Sequence, residues 1–344
     1  MPSEMVDDGI GSAPGAGEPT AIGPGSTPTE TIVRLKRRMA WAVAVMWLLD
    51  AALQAQPGMF TLDFISDIMK PSAANSPGVL GDLANWVLGI VTPHIAEWNW
   101  FFLIIQFVIA FSLLAGLGLQ RERLVRAGLA LSIAWGLGVW VFGEGTSGVL
   151  TGFTGNATML TGAPGSVFLY MLIAVFYLGP DSWWDLRARF CLPRDALAIV
   201  FLYGFIAQVA TPVFWGSQGL PVLIAEQGSM APSWMIPSMN VGVQLTTHLP
   251  ALWNAGISAA MLGIAVLLFG RRPRLAGFAL LGITLAVIWY WGQAFGGIFD
   301  GMGTDPNTPP LFAILAVPAW AVWRGVVERD SLRRTAVTLS PSRA

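Results

Sequence analysis

Residues 98–119 read WNWFFLIIQFVIAFSLLAGLGL, a run without a charged side chain. About 20 apolar residues in a helix, at a rise of 1.5 Å per residue, cross the roughly 30 Å hydrocarbon core of a bilayer. A helix also satisfies its backbone hydrogen bonds internally, which lipid requires. This stretch therefore predicts a transmembrane helix.

The composition of the whole chain indicates the same class. Hydrophobic residues make up 54% of the 344 residues and charged residues 11%, whereas a soluble domain carries about 25% charged residues. So few charges cannot cover a water-facing surface, which disfavours a soluble enzyme and a disordered protein. A net charge of −1 offers no basic excess for nucleic acid, so we expect no nucleic-acid partner. The single cysteine, Cys191, excludes an internal disulfide framework.

Further apolar segments predict an all-α, multi-pass membrane protein with about eight transmembrane helices. The predicted spans are 39–56, 98–119, 124–143, 165–180, 196–215, 251–270, 275–295 and 309–326. Between the first two spans, apolar residues follow helical spacing at Leu80, Leu83, Val87 and Val91. This pattern predicts a short interfacial helix on the outer side, or alternatively a helix packed beneath a loop.

The basic residues support this number of spans. With eight spans and a cytoplasmic N-terminus, all of the 19 Lys and Arg residues except Lys70 fall on the cytoplasmic side. That partition follows the positive-inside rule. It predicts a plasma-membrane protein, embedded in the lipid bilayer, with both termini in the cytoplasm. The Ala-, Gly- and Arg-rich, Lys-poor composition indicates a bacterial origin.

The chain divides into two tails and two membrane units. Residues 1–31 lack a hydrophobic run and predict a disordered cytoplasmic tail. Residues 32–190 form the first four-helix unit and residues 191–326 the second. Residues 327–344 predict a second cytoplasmic tail.

The two units repeat one another in sequence. Residues 143–152 resemble residues 292–301, and four earlier positions recur at a displacement of 155. These four are Pro57, Pro77, Trp98 and Asn99, which match Pro212, Pro232, Trp253 and Asn254. Because each unit crosses the membrane four times, both have the same orientation. The units are therefore predicted to be parallel repeats related by an axis along the membrane normal.

The second and third helices of each unit are joined in a similar way. A stretch of small and aliphatic residues runs into a short Arg-bearing turn, as LLAGLGLQR at 113–121 and AVLLFGRR at 265–272. Together with a proline after the first helix, these features resemble the DoxX/DoxD-like family of integral membrane proteins. The resemblance covers residues 40–325 if each half counts as one unit, and it implies a subunit linked to thiosulfate:quinone oxidoreduction. The acidic residue typical of the family's second helix is replaced here by Gln106 and Met261.

The two histidines, His94 and His248, are candidate metal- and cofactor-binding residues. Each lies shortly before the Trp-Asn step that opens the second helix of its unit, at the predicted outer mouth. Neutral imidazole binds copper, iron or zinc, so the pair predicts a copper or haem site, or contacts to a quinone. Alternatively, each imidazole sits at the membrane interface with its tip in water.

Asp50 lies inside the first predicted span and is a candidate catalytic residue. An intramembrane carboxylate is costly, so it indicates a proton-handling or headgroup-binding function. A structural hydrogen bond to a neighbouring helix is the alternative. At a displacement of 155 its counterpart is Phe205, so the function would belong to the first unit alone.

Glu144 follows the third predicted span and is the second candidate catalytic residue. Its counterpart in the second unit, Gln293, is a candidate cofactor-binding residue. The glycines around Glu144 permit tight turns and close backbone approach, which suits a quinone or headgroup pocket. A compact turn between two helices explains them equally well.

These residues leave three functional hypotheses open. The first is a quinone- or metal-associated component of a membrane redox system, assembled with other redox subunits. The second is a transporter or binding module for a small molecule or ion. The third is a non-catalytic assembly or scaffold subunit. The predicted outer side carries acids and only Lys70 as a base, which disfavours anions such as thiosulfate and favours cations or a basic partner.

Overall fold

The computed structural model describes residues 28–74, 76–151 and 157–325, and within these ranges it is helical, without a β-strand. The α-helices are α1 (Pro28–Gln54), α2 (Lys70–Ala74), α3 (Gly78–Val91), α4 (Ile95–Gly118), α5 (Glu122–Phe142), α6 (Ser166–Leu178), α7 (Leu192–Ala210), α8 (Leu220–Ser229), α9 (Ile236–His248), α10 (Pro250–Leu268), α11 (Leu275–Val287) and α12 (Thr308–Leu315). Short 3₁₀ and π-helical turns join several of them.

Five helical stretches in the described part of the chain are long and apolar enough to cross a membrane. They are Gly78–Gly118, Glu122–Phe142, Leu192–Ala210, Pro250–Leu268 and Leu275–Gly292. They overlap the predicted second, third, fifth, sixth and seventh spans. The prediction of an all-helical protein with several helices able to cross a membrane is confirmed for the described residues.

The other three predicted spans fall on helices that are shorter or carry more charge. The helix α1 has 27 residues, but its first half carries a cluster of Lys and Arg side chains. The helix α6 is apolar and has 13 residues, which cover about 20 Å of a bilayer core of roughly 30 Å. The helix α12 has 8 residues, and residues 317–325 are helical again after a turn.

The start of α1 differs from the prediction for the N-terminal tail. The helix begins at Pro28, so residues 28–31 of the tail predicted to be disordered are helical. Proline at the first helical position and Glu30 in the first turn both favour a helix start. Residues 1–27 and the predicted tail at 327–344 lie outside the described residues.

Hydrogen bonds at the helix ends show that neighbouring helices are antiparallel. Arg37 Nη2 donates to the carbonyl of Leu117 at 3.0 Å, which joins the start of α1 to the end of α4. Gly270 N donates to Asp195 Oδ1 at 3.0 Å, which joins the end of α10 to the start of α7. We call this the basic end, because the arginines within 121–126, 187–194 and 271–274 lie there. The opposite end, where α1, α5 and α7 finish, is called the cavity end.

One polar contact recurs at the cavity end of both units. Gln54 on α1 donates through Nε2 to Asn99 Oδ1 on α4. Gln208 on α7 donates in the same way to Asn254 Oδ1 on α10, at 2.7 Å. All four side chains are buried. The same kind of amide contact thus joins α1 to α4 and α7 to α10.

Two further features recur where each unit turns toward its last helix. Trp140 Nε1 donates to the Pro164 carbonyl at 2.9 Å, and Trp289 Nε1 donates to the Pro306 carbonyl at 2.8 Å. All four residues at 145–148 have positive φ, between 48° and 67°, and those at 294–297 have φ between 42° and 75°. Left-handed backbone is costly for residues with a side chain, so its recurrence at matching positions is a specific structural similarity.

The helix α3 carries apolar side chains on opposite faces. Leu88 and Val91 are buried, whereas Val79, Trp86 and Ile90 are exposed. The predicted helix between the first two spans is therefore present. Its exposed apolar face suits contact with lipid at or near the interface.

Candidate functional site

A cavity of about 1030 Å³ lies at the cavity end of the molecule. Asp50, Glu144 and Asp305 line its interior, and the exposed carboxylates of Asp67 and Glu226 stand at its rim. Among the residues that the structure describes, every charged side chain in the lining is acidic. The cavity thus repels anions and favours ligands that carry positive charge or donate hydrogen bonds.

Asp50 is held in the cavity wall by two aromatic residues. Its Oδ2 accepts a 2.6 Å hydrogen bond from the phenol of Tyr170 on α6. Tyr170 in turn stacks on Trp47, one helical turn before Asp50, with ring centroids 4.5 Å apart. Asp50 Oδ1 is buried and has no hydrogen-bond partner in the described part of the chain. This oxygen is therefore an open acceptor for a donor on a ligand.

Glu144 is surrounded by donors from its own turn and from the start of α6. Its Oε1 accepts from Ser166 Oγ at 2.8 Å and from Val167 N at 3.3 Å, and its Oε2 accepts from Ser147 Oγ at 2.9 Å. Gly165 lets α6 approach so closely, because a Cβ there would clash with Glu144. Burial, and then the nearby charge of Asp305, raise the pKa of Glu144 to about 7.

Asp305 reaches the same cavity from the loop before α12. Its Oδ1 accepts from Asn307 N at 2.6 Å, and its Oδ2 accepts from Thr304 Oγ1 at 3.1 Å. Burial raises the pKa of Asp305 as well. With a pKa of about 7, Glu144 can hold and release a proton near neutral pH.

Aromatic rings form the other wall of the cavity. Trp135 on α5 lies 6.0 Å from Phe101 and 5.6 Å from Phe102 on α4, measured between ring centroids. Trp135 Nε1 and Gln106 Oε1 are buried and lack hydrogen-bond partners among the described residues. An apolar wall with a few unpaired polar atoms is typical of a small-molecule site.

The two histidines lie outside this cavity. The side chain of His94, at the start of α4, is 68% exposed, with Nδ1 3.9 Å from Glu97 Oε1. His248 is the last residue of α9 and is also exposed. Neither lines the cavity, and the described residues contain no group of three or more His, Cys, Asp or Glu side chains placed to hold a metal ion. A metal, haem or quinone at the histidines stays a prediction.

Gln293 occupies a buried structural position. Its Nε2 donates to the Met159 carbonyl at 3.1 Å and to Thr308 Oγ1 at 3.2 Å. Thr308 is the first residue of α12, just as Ser166, the partner of Glu144, is the first residue of α6. The matching contact in the second unit thus uses a neutral amide, and Gln293 does not line the cavity.

The units also differ at Asp50. Gln54 and Gln208 make the matching amide contacts described above, which sets the displacement along the first helices at 154. Superposing the two contacts pairs Asp50 with Gly204, whereas the displacement of 155 pairs it with Phe205. The displacement is thus 154 between Gln54 on α1 and Gln208 on α7, and 155 between Asn99 on α4 and Asn254 on α10.

The corresponding space in the second unit is filled with apolar side chains. Phe312 contacts Phe201 at a centroid distance of 5.4 Å, in place of the Trp–Tyr pair of the first unit. A side chain at Gly204 would clash with Met159, and the Met261 sulfur lies 3.5 Å from where its Cβ would be. Only the first of these two matched places keeps a carboxylate and a phenol.

The sequence pattern identified Asp50 and Glu144 but missed three other members of the site. Tyr170 has a visible signal, since it is a polar aromatic residue in the apolar run SVFLYMLIAVFYL at 166–178. Asp305 appears in sequence as one of several loop acids, and Trp135 as one of 16 tryptophans. Asp305 and Trp135 line the cavity, and Tyr170 donates to Asp50 in its wall, so their importance arises from the folded structure.

No family model, no curated protein and no solved structure matches this chain.

Proposed function

We propose that this protein is a membrane carrier or binding module for a small organic cation. One observation carries the proposal: three carboxylates, the buried Asp50 and the half-buried Glu144 and Asp305, line one aromatic cavity that has no basic side chain among its described residues. Acids in the interior of a membrane protein without basic partners are expensive and indicate a function. A positively charged ligand supplies the missing partner.

The lining suits an amine that also carries apolar groups. An ammonium group donates hydrogen bonds to the open acceptor at Asp50 and to the carboxylates beyond it. Trp47, Trp98 and Trp135 line the same cavity, and aromatic rings attract cations over their faces by about 0.5–2 kcal/mol. A cavity of about 1030 Å³ accommodates a molecule of drug-like size.

The proposal includes eight spans arranged as two parallel four-helix units. In this proposal α1, α6 and α12 with residues 317–325 supply the remaining three spans, in addition to the five long apolar stretches. The recurring amide pairs, indole–carbonyl bonds and left-handed turns support the duplication. The partition of Lys and Arg supports both termini in the cytoplasm of a bacterial cell and places the cavity end outside. We also propose that the four-helix unit is related to the DoxX/DoxD-like family.

A second candidate function is a hydroquinone site in a membrane redox system. The observation that favours it is the pKa of about 7 at Glu144, beside an aromatic wall. A carboxylate of that pKa accepts a phenolic proton near neutral pH. Electrons from the hydroquinone would pass to another redox subunit, which this candidate function requires as a partner.

Ligand binding by the full chain in lipid nanodiscs tests the proposal. The probes are 2-phenylethylamine, its uncharged analogue 2-phenylethanol and a short-chain hydroquinone. Their affinity is measured by calorimetry, with empty nanodiscs as the blank. We expect the amine to bind, and Asp50→Asn and Glu144→Gln each to weaken it at least tenfold. Glu97→Gln, at an acid that is 74% exposed and outside the lining, is the matched control and leaves affinity unchanged. Equal binding of amine and alcohol contradicts the proposal, and binding of the hydroquinone alone supports the second candidate.

A further inference from the structure

We infer that the cavity has a second, lateral mouth toward the bilayer and that its ligand is an amphipathic amine whose apolar tail lies in that mouth. This inference rests on the proposed function, since it assumes that the carboxylates hold a cationic head. It adds the ligand's tail and the route by which the ligand enters.

The lateral mouth is defined by three apolar side chains, Trp86, Ile90 and Phe101. All three line the cavity, yet they are 63%, 41% and 47% exposed. A side chain that both lines a cavity and keeps this much exposed surface stands where the cavity meets the exterior. Trp86 and Ile90 are on α3 and Phe101 is on α4, so the opening lies along these two helices.

The exposed side chains that form this mouth are apolar, which favours lipid outside it. All three residues belong to the segment Gly78–Gly118, which is long and apolar enough to cross a membrane and which carries the exposed His94 and Glu97 where α3 and α4 meet. Val79 and Leu83 extend the exposed apolar face along α3. A contiguous exposed apolar patch of this kind is unfavourable in water and favourable against lipid.

The cavity has a different mouth on its polar side. Exposed Asp67 and Glu226 stand there, and small cations in water are attracted to such a rim. The two mouths thus differ in chemistry: one suits a charged head in water and the other an apolar chain in lipid.

Aromatic residues connect the lateral mouth to the interior. Phe101, at the mouth, lies 6.0 Å from Trp135 between ring centroids. Farther in, Gln106 Oε1 and Asp50 Oδ1 are buried acceptors without partners among the described residues. A single molecule with an ammonium head at these acceptors and an alkyl chain along the rings matches both regions of the cavity.

A bulky group attached at the lateral mouth tests the inference. In a Cys191→Ser background, Ile90→Cys and Leu83→Cys are each labelled with a bulky maleimide in nanodiscs. These positions are a matched pair, because both are on α3, they are 41% and 39% exposed, and only Ile90 lines the cavity. Binding of butylamine, dodecylamine and dodecanol is then measured against empty nanodiscs. Phe101→Cys replaces Ile90→Cys if the latter does not fold.

We expect the label at position 90 to weaken dodecylamine binding at least tenfold and butylamine binding less than twofold, because the short amine reaches the acids through the polar mouth. The label at position 83 should change neither. If both amines bind and the label at position 90 has no effect on either, the lateral mouth is refuted while the proposed function stands. If dodecanol competes as well as dodecylamine, the mouth holds only hydrocarbon such as a lipid chain, and the inference is wrong. If neither amine binds the unlabelled protein, the proposed function fails as well.

Discussion

The phenol of Tyr170 donates a 2.6 Å hydrogen bond to the carboxylate of Asp50, which lies 120 residues earlier in the chain. The bond joins α6 to α1, and its acceptor Asp50 lines the cavity whereas Tyr170 lies behind it. At the matching places of the second unit stand Phe312 and Gly204, which make no such bond. The Tyr–Asp pair therefore distinguishes the unit that has the open cavity from the unit that is filled.

Replacing Tyr170 by Phe should destabilise the protein by about 1–3 kcal/mol, because a buried carboxyl group loses its partner. The control is Tyr177→Phe, whose phenol donates to Glu122 at 3.0 Å. Glu122 is 60% exposed, so water replaces that bond and the loss should stay below about 1 kcal/mol. Unfolding in mixed micelles with increasing denaturing detergent measures both. Equal losses would refute the importance of the buried pair.

The stability of the protein should fall as the pH rises from about 4.5 to about 7. The ordinary pKa of a glutamate is 4.5, and that of Glu144 is about 7 in the folded protein. The folded state thus binds this proton more tightly than the unfolded state, so its contribution is complete at low pH and is lost as the pH rises. The loss is at most about 3 kcal/mol. Glu144→Gln should remove this part of the pH dependence, and Glu97→Gln should keep it; a parallel profile for Glu144→Gln and the parent would contradict the assignment.

The affinity for 2-phenylethylamine should increase with pH through about 7, in the direction opposite to stability. The amine stays protonated over this range, whereas Glu144 gains its negative charge. Calorimetric titrations between pH 5.5 and 8 measure the change. In Glu144→Gln the affinity should be lower and nearly independent of pH. A parent profile that is flat would show that Glu144 does not contact the bound cation.

Breaking the buried ion pair at the basic end should cost about 3–5 kcal/mol. Arg194 and Asp195 are fully buried, with Nη2 and Oδ2 2.7 Å apart. Asp195 also accepts from Gly270 N, which ties α7 to α10. Asp195→Ala leaves the buried guanidinium uncompensated. Asp181→Ala is the control: Asp181 pairs with Lys36 at the same distance but is 58% exposed, so its loss should be below about 1 kcal/mol.

The two amide pairs should both contribute to stability, the first more than the second. Asn99 also donates through Nδ2 to the Gln54 carbonyl at 3.1 Å, whereas Asn254 Nδ2 has no hydrogen-bond partner among the described residues. Asn254→Ala should therefore cost about 1 kcal/mol and Asn99→Ala about 2 kcal/mol. Asn85→Ala is the control, since Asn85 is exposed and its amide donates to the Gly81 carbonyl within α3. The same detergent-induced unfolding measures all three. A loss at Asn254→Ala no larger than that at Asn85→Ala would argue against the importance of the second amide pair.

The sequence predicted Asp50 and Glu144 as functional candidates because a carboxylate within or beside an apolar span is costly wherever it lies. It could not predict that Asp305 joins them, since Asp305 follows α11 in a loop with no periodic pattern. The sequence makes His94 an equally strong candidate, because it lies just before a predicted helix. In the structure His94 lies where α3 and α4 meet, and its side chain is exposed. Exposure depends on how α3 and α4 meet, which residue spacing does not specify.

The amino-acid sequence alone determined the helical, membrane-embedded class of this protein. Span length and internal backbone hydrogen bonding are local requirements, so an apolar run such as residues 98–119 is sufficient to predict a helix. Tertiary structure alone decided that Asp50, Glu144 and Asp305 share one cavity and that the matched space beside Gly204 is filled. Those outcomes depend on the rotation and packing of whole helices against one another. The residues that surround one side chain in the cavity can lie more than a hundred positions away in the chain.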